Sequence, residues 1–285
     1  MSPNPVFDID RPSPRAGHGP ARRLVIDNDW AGDPDGLLGL AHHLLSSDRV
    51  DAITSSLTSP MFPGSHDGAA RGHRLVEELL DVVDAPTRPA LAVGAESSLD
   101  RGGAASDASR LIVEHARRED ELPLTLVCAG PLTNVAVALR DAPDIAARIR
   151  LVWVGGSTRG AFEYNEATDQ EAAAIVFGSE IAIDQYPLEA YRASTYSIAE
   201  LEADLTETTL GSWLWDVFAQ FRIPLEFKVG ELWHLGDSLP LLATSLAATP
   251  EGPTVHRVVH ETVDYRLLVG DMLAKFRLHE RGRAA

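Results

Sequence analysis

Cysteine is almost missing: Cys128 is the only one in 285 residues. A disulfide within the chain is therefore excluded, and so is a metal site built on thiolates. Long apolar runs are missing as well. Nowhere does the chain approach the roughly 18 uninterrupted apolar residues that mark a membrane span. The amino end, MSPNPVFDIDRPSPRAGHGPARR, carries no apolar stretch of signal-peptide length. Basic residues are in deficit, 25 Lys and Arg against 42 Asp and Glu, which leaves a formal net charge of −17 and a pI of about 4.9. So acidic a surface repels phosphate backbones and anionic lipid, making nucleic acid and membranes poor partners, while a divalent cation is attracted. The expectation is a soluble, cytoplasmic protein. No internal repeat is visible.

Length and a 45% hydrophobic content suit one large domain or at most two. Residues 1–22, rich in Pro, Gly, Arg and Asp without periodicity, read as a mobile arm, and residues 23–285 as a single domain. From Arg23 onward, strand-like runs (RLVID, VDAITSSL, LPLTLVCAG, RIRLVWVGGS, EIAIDQYP) alternate with helical patterns (DGLLGLAHHLLSS, GAARGHRLVEELLDVV, DASRLIVEHARRE, PLTNVAVALRDAP, DQEAAAIVFGS). That alternation predicts an α/β fold, a mostly parallel sheet with helices on both faces. Residues 196–240 look less regular and aromatic-rich, with a helix starting near Ser238 and Asp237 near its cap. The tail from Thr254 predicts one or two strands and a last element that the pattern leaves unassigned. The polar motifs follow the apolar runs, where open α/β sheets bind their ligands.

The densest motif is VIDNDWAGDPDGLLGL, with Asp27, Asp29, Asp33 and Asp35 inside nine residues. A solvated turn with one capping Asp accounts poorly for four acids, one of them ending an apolar strand. An EF-hand is excluded, because counting from Asp27 puts Ala31 and Leu38 where that loop needs oxygen ligands. A phosphatase of the haloacid dehalogenase type also places Asp-x-Asp after its first strand, but Ala31 stands where its small hydroxyl residue belongs. A hard-cation site of the Ca²⁺ type gives the crowded acids a counter-charge, with further oxygens drawn from other strand ends.

Four segments together resemble the nucleoside hydrolase family, the inosine–uridine-preferring N-ribohydrolases: DNDWAGDPDGLLGL, AGPLTNVAVAL, RLVWVGGS…FEYNEATDQEAAAIVF and GDSLPLLATSL. Their order and spacing match from residue 23 to about 247. The resemblance implies Ca²⁺-dependent cleavage of the N-glycosidic bond of a ribonucleoside. It makes Asp29 the general base and a metal ligand, and divides Asp33 and Asp35 between the metal and a ribose hydroxyl in either order. Ala129 would offer its backbone carbonyl to the metal, Asp237 its carboxylate, and Glu163 and Asn165 would grip the ribose, with Asp27 behind the ligands. The substrate would be a nucleoside rather than a nucleotide, since this set offers nothing to a phosphate. A homo-oligomer, dimer or tetramer, would be in keeping with the family.

The pattern also departs from the family. Gly236 stands where many members have His before the late Asp, which leaves His234 as the candidate acid for the departing base and Trp213, Trp215 and Trp233 as candidates to stack on it. A Gly-Asn after the second strand is replaced by SSLTSPMFPGSHDG, where Ser59, His66 or Asp67 could substitute, and Gly36 replaces a second consecutive Asp. Two rival functions follow: a ribose- or nucleoside-binding relative without catalysis, and the phosphatase.

Overall fold

The computed structural model describes residues 19–85, 88–222, 230–247 and 256–283. Most of the expected arm, residues 1–18, lies outside the described residues. Arg22, at its far end, is buried, with its guanidinium 3.6 Å from Asp48.

The first half of the chain runs β1 (Arg23–Asn28), α1 (Asp35–Leu44), β2 (Arg49–Ser55), α2 (Gly68–Val83), β3 (Ala90–Val93), α3 (Asp107–Arg117), β4 (Leu124–Cys128) and α4 (Thr133–Asp141). The second half runs β5 (Ile149–Val154), α5 (Tyr164–Thr168), α6 (Gln170–Phe177), β6 (Ala182–Tyr186), α7 (Leu188–Ala193), β7 (Thr195–Ser197), α8 (Ile198–Leu205), α9 (Thr209–Gln220), β8 (Leu232–His234), β9 (Arg257–Val259) and α10 (Tyr265–Arg283). Seven strands form one parallel sheet in the order β3-β2-β1-β4-β5-β6-β9, and β7 pairs antiparallel with β8. The expected parallel α/β fold is what the chain adopts.

Alternation along the strands builds two cores. Leu24 and Ile26 of β1, with Val127, Val152 and Val154, face α1, α2 and the later helices. Val25, with Leu126, Cys128, Leu151 and Trp153, faces α3, α4 and α6. With both faces covered, the strands read as continuous apolar runs, and each fully buried Leu or Val is worth about 1.5–3 kcal/mol. The helices follow the same logic. In α2, Ala69, Gly72, Val76, Leu79, Leu80 and Val83 are buried, a stripe at helical spacing. Ser106 starts α3 with a reciprocal capping box to Ser109.

Within residues 196–240 the described part holds two regular helices, α8 and α9, because Leu201, Leu205, Leu210 and Leu214 supply core contacts at helical spacing, while residues 223–229 lie outside the described residues. The helix expected near Ser238 is a 3₁₀ turn over Gly236–Leu242 with Asp237 inside its first turn. The unassigned tail is β9 followed by the long α10. No described helix is long and apolar enough to cross a membrane.

Candidate active site

In the strand order, the chain reverses direction of growth between β1 and β4, and at such a switch point the two carboxyl ends leave a crevice. Asp27, Asn28 and Asp29 emerge from β1 here, and Ala129 from β4.

Pleating sends Asp27 and Asn28 to opposite faces. Asp27 is fully buried on the α4 side, where its Oδ1 accepts from Thr54 Oγ1 at 2.5 Å and Asn134 Nδ2 at 2.9 Å. Burial pushes its pKa up to about 6 against the pull of those donors. Asn28 points the other way: its Nδ2 donates to Asp237 Oδ2 at 2.9 Å, and its Oδ1 accepts from the Asp29 backbone N–H at 2.8 Å. One amide thus ties the late aspartate to the early loop. Gly36 permits the approach, since a Cβ there would come within 2.5 Å of Asn28 Nδ2 and 3.2 Å of Asp237 Oδ2.

Asp29, Asp33, Asp35 and Asp237 gather around this tie. Asp29 Oδ2 accepts from the Tyr164 hydroxyl at 3.2 Å, and that oxygen itself accepts from Ser59 N–H at 2.9 Å. Asp33 is fully engaged: its Oδ1 accepts from Trp233 Nε1 at 3.0 Å and from Asp35 N–H at 3.3 Å, and its Oδ2 from the Tyr191 hydroxyl at 3.2 Å. Asp35 Oδ2 accepts from Asp237 N–H at 3.0 Å and lies 3.4 Å from the Tyr191 hydroxyl. Asp35 Oδ1 is buried without a hydrogen-bond partner. Burial, then the neighbouring charge of Asp237, raises the pKa of Asp29 and of Asp35 well above the ordinary carboxylate value. Asp237 is pushed up to about 8, by burial and then by Asp33 and Glu163, with Asn28 opposing.

Glu163 and Asn165 reach the same crevice from β5. Glu163 caps α5, accepting from the backbone N–H groups of Gly156 (2.6 Å), Asn165 (2.8 Å) and Glu166 (2.9 Å). Asn165 Nδ2 donates to the carbonyls of Ala129 (2.7 Å) and Val154 (2.9 Å), lacing β4 to β5, and its Oδ1 is buried without a partner. The Ala129 carbonyl keeps a second lone pair beyond that bond.

Other expected residues stand further out. His234 packs against the Tyr191 ring, with centroids 5.8 Å apart, and its Nδ1 is 3.2 Å from Thr195 Oγ1. Burial, then Arg192, lowers its pKa. Trp233 is buried with its N–H committed to Asp33, and Trp215 stacks on Phe218. His66 and Asp67 form a 3₁₀ turn with Ser65 ahead of α2 and show no bond to the acids, whereas Ser59 reaches Asp29 through Tyr164. A cavity of about 730 Å³ opens on the outer side of the acidic loop, between Trp30–Pro34, Phe62, α2 and α9, and includes Trp213.

Sequence reasoning missed Tyr191, Tyr164, Asn28, Asn134 and Thr54. Tyr164 and Asn134 sit inside quoted motifs, so proximity was the available signal for them. Tyr191 gives none in the sequence. Its ring occupies the space that a Cβ at position 236 would enter, so the missing side chain at Gly236 is what admits it.

Among the described residues, no three His, Cys, Asp or Glu side chains already surround one point as metal ligands. The acids are near enough to raise one another's pKa values, but Asn28, Tyr164, Tyr191 and Trp233 interleave between them. The donor set nonetheless fits a hard cation: it is all oxygen, Asp29, Asp35 and Asp237 are buried, no salt bridge reaches them among the described residues, and Asp35 Oδ1 is unsatisfied.

Comparisons with known proteins agree with the fold. The purine-preferring ribonucleoside hydrolase from Gardnerella vaginalis superposes with a TM-score of 0.70 at 19% identity, over 91% of this chain and 99% of its own. An inosine–guanosine nucleoside hydrolase gives 0.69 at 19% identity, over 90% and 99%. The non-specific ribonucleoside hydrolase RihC of Salmonella paratyphi B is 52% identical over 67 residues, and this match spans only 22% of that relative's length and 21% of this chain. Residues 26–281 match the inosine-uridine preferring nucleoside hydrolase family, which displaces the phosphatase alternative. The chain belongs to that family.

Proposed function

We propose that this protein hydrolyses the N-glycosidic bond of ribonucleosides in a Ca²⁺-dependent reaction, with Asp29 as the general base. The observation that carries this reading is the meeting of Asp237 with Asp29 and Asp35, some 200 positions apart in sequence, around one buried amide.

Asp29, Asp35 and Asp237, with the Ala129 carbonyl, would hold the cation. Asp35 is favoured over Asp33 because its Oδ1 is free of partners, whereas Asp33 is saturated by Trp233, Tyr191 and the Asp35 amide. When bound, Ca²⁺ would supply positive charge that makes a nearby water easier to deprotonate and fixes sugar hydroxyls. Asp29 takes the proton from the attacking water, a role suited to a carboxylate whose burial makes it a stronger base than a solvated one. As the C–N bond lengthens, positive charge grows on the sugar ring, and the remaining carboxylates stabilise it in a site shielded from water. Asn165 offers its free Oδ1 to a ribose hydroxyl, while Glu163 holds the turn that presents it.

A p-nitrophenyl riboside tests the reading, because its leaving group departs without being protonated. Ca²⁺-stimulated release of nitrophenol, lost by a factor of at least roughly 100 in Asp29→Ala, is expected. Ca²⁺ binding with no turnover of that substrate would favour a ribose-binding protein without catalysis.

A further inference from the structure

Asp29 can act as a base only if its carboxylate faces the attacking water, and a carboxyl group turns freely about its last torsion unless something holds it. Here two neighbours locate one of its oxygens. The Tyr164 hydroxyl donates to Asp29 Oδ2 at 3.2 Å. Gly32 donates its N–H to the Asp29 carbonyl at 2.6 Å, and a Cβ on it would stand 2.5 Å from the same Oδ2. The phenol is fixed in its turn. Ser59 N–H donates to its oxygen at 2.9 Å, and the Phe62 ring meets it edge to face with centroids 5.0 Å apart. A phenol has a single proton to give, and an oxygen that accepts from an N–H turns that proton away from the incoming hydrogen, here onto Asp29. The backbone that carries Tyr164 is also tied down on both sides. Glu163 before it accepts from three backbone N–H groups, and Asn165 after it donates to the carbonyls of Ala129 and Val154. Segments following β1, β2 and β5 thus meet at one carboxylate oxygen.

We propose that Tyr164 is a positioning residue for the reaction: its hydroxyl sets the rotation of the Asp29 carboxylate and so the direction in which Asp29 meets the water it deprotonates. This rests on the hydrolase reading above. Holding Oδ2 fixes the plane of the group, and with it the place of Oδ1. A hydrogen bond to a charged oxygen is roughly twice as strong as a neutral one, so the phenol is able to hold that plane. Misplacing a reacting group by about 1 Å can cost roughly 100-fold in rate, so a small rotation of Asp29 is enough to matter. The order of the relay, from Ser59 N–H through the phenol to the carboxylate, comes from a backbone donor that no side-chain rotation can reverse.

Tyr164→Phe removes the hydroxyl and keeps the ring against Phe62. The test compares the full-length, Ca²⁺-supplied wild type, Tyr164→Phe, Asp29→Asn and the double variant on p-nitrophenyl riboside, slow variants being followed with enzyme in excess. Tyr164→Phe should lower kcat by at least roughly 10-fold and leave KM within about twofold, the split expected of a group that acts on the chemical step. In the Asp29→Asn background the same change should cost less than about threefold, because a residue that acts through Asp29 then has no base left to orient. A side chain that only braces α5 against the segment after β2 would cost the same factor in both backgrounds. That result, or a kcat within about twofold of wild type in Tyr164→Phe, would overturn the inference and leave the hydrolase reading intact. Asp29→Asn as active as the wild type, or a wild type without turnover, would remove that reading and the inference with it.

Discussion

Asp237 is one of the crevice carboxyls whose crowding the fold itself feels. Its pKa is pushed up to about 8, and that of Asp27 to about 6. A carboxyl whose folded value exceeds its unfolded one holds more protons in the folded state, so the stability it contributes is full below about pH 4 and is lost as pH rises through the folded value. The cation-free protein should therefore lose stability progressively between about pH 4 and pH 8, by on the order of a few kcal/mol, at about 1.4 kcal/mol per pKa unit. Thermal unfolding across that range, in chelator, checks the direction. Asp237→Asn, which removes the charge and keeps an oxygen for Asn28, should flatten the curve; an unchanged slope would mean that Asp237 is not the repelled group.

At the scale of elements, β4 and β5 are joined at their carboxyl ends by the Asn165 amide. Asn165→Ala would leave two buried carbonyls short of a donor, at a cost of about 1–3 kcal/mol, readable as a lower urea midpoint. Glu163→Ala would uncap α5 and release three backbone N–H groups, for about 1–2 kcal/mol. If either variant unfolds like the wild type, these side chains are not the ties the geometry makes them. This is also the scale at which the sequence was most legible. Doubly covered strands such as Leu124–Cys128 and Ile149–Val154 announce themselves as apolar runs, and α2 as a helical stripe. The four-residue β3 and the six-residue α7 are too short to show a period, and the aromatic density of α9 masked its helical spacing. The acid cluster was visible as crowding, but its internal wiring was not. Spacing cannot reveal that Tyr191 reaches Asp33 across 158 positions, nor that Asn28 reaches Asp237 across 209. Asp33 and Asp35 were indistinguishable as letters and differ only in which donors the fold brings to each.

For the whole molecule, a net charge of −17 draws cations to a fold that has concentrated four carboxylates at its switch point. Binding that favours the folded state stabilises it by mass action, so Ca²⁺ at 100 times its dissociation constant should add about 2.7 kcal/mol, visible as a rise in Tm. Asp29→Ala should lose that rise, whereas a surface variant such as Asp144→Ala, far out on an exposed pair with Arg117, should retain it.

Calorimetric titration of Ca²⁺ into chelator-treated wild type, Asp29→Ala and Asp237→Ala tests the central claim most directly. One equivalent should bind to the wild type, and neither variant should bind it with comparable affinity. Full stoichiometric binding in both variants, or none in the wild type, would contradict a cation held between the two ends of the chain.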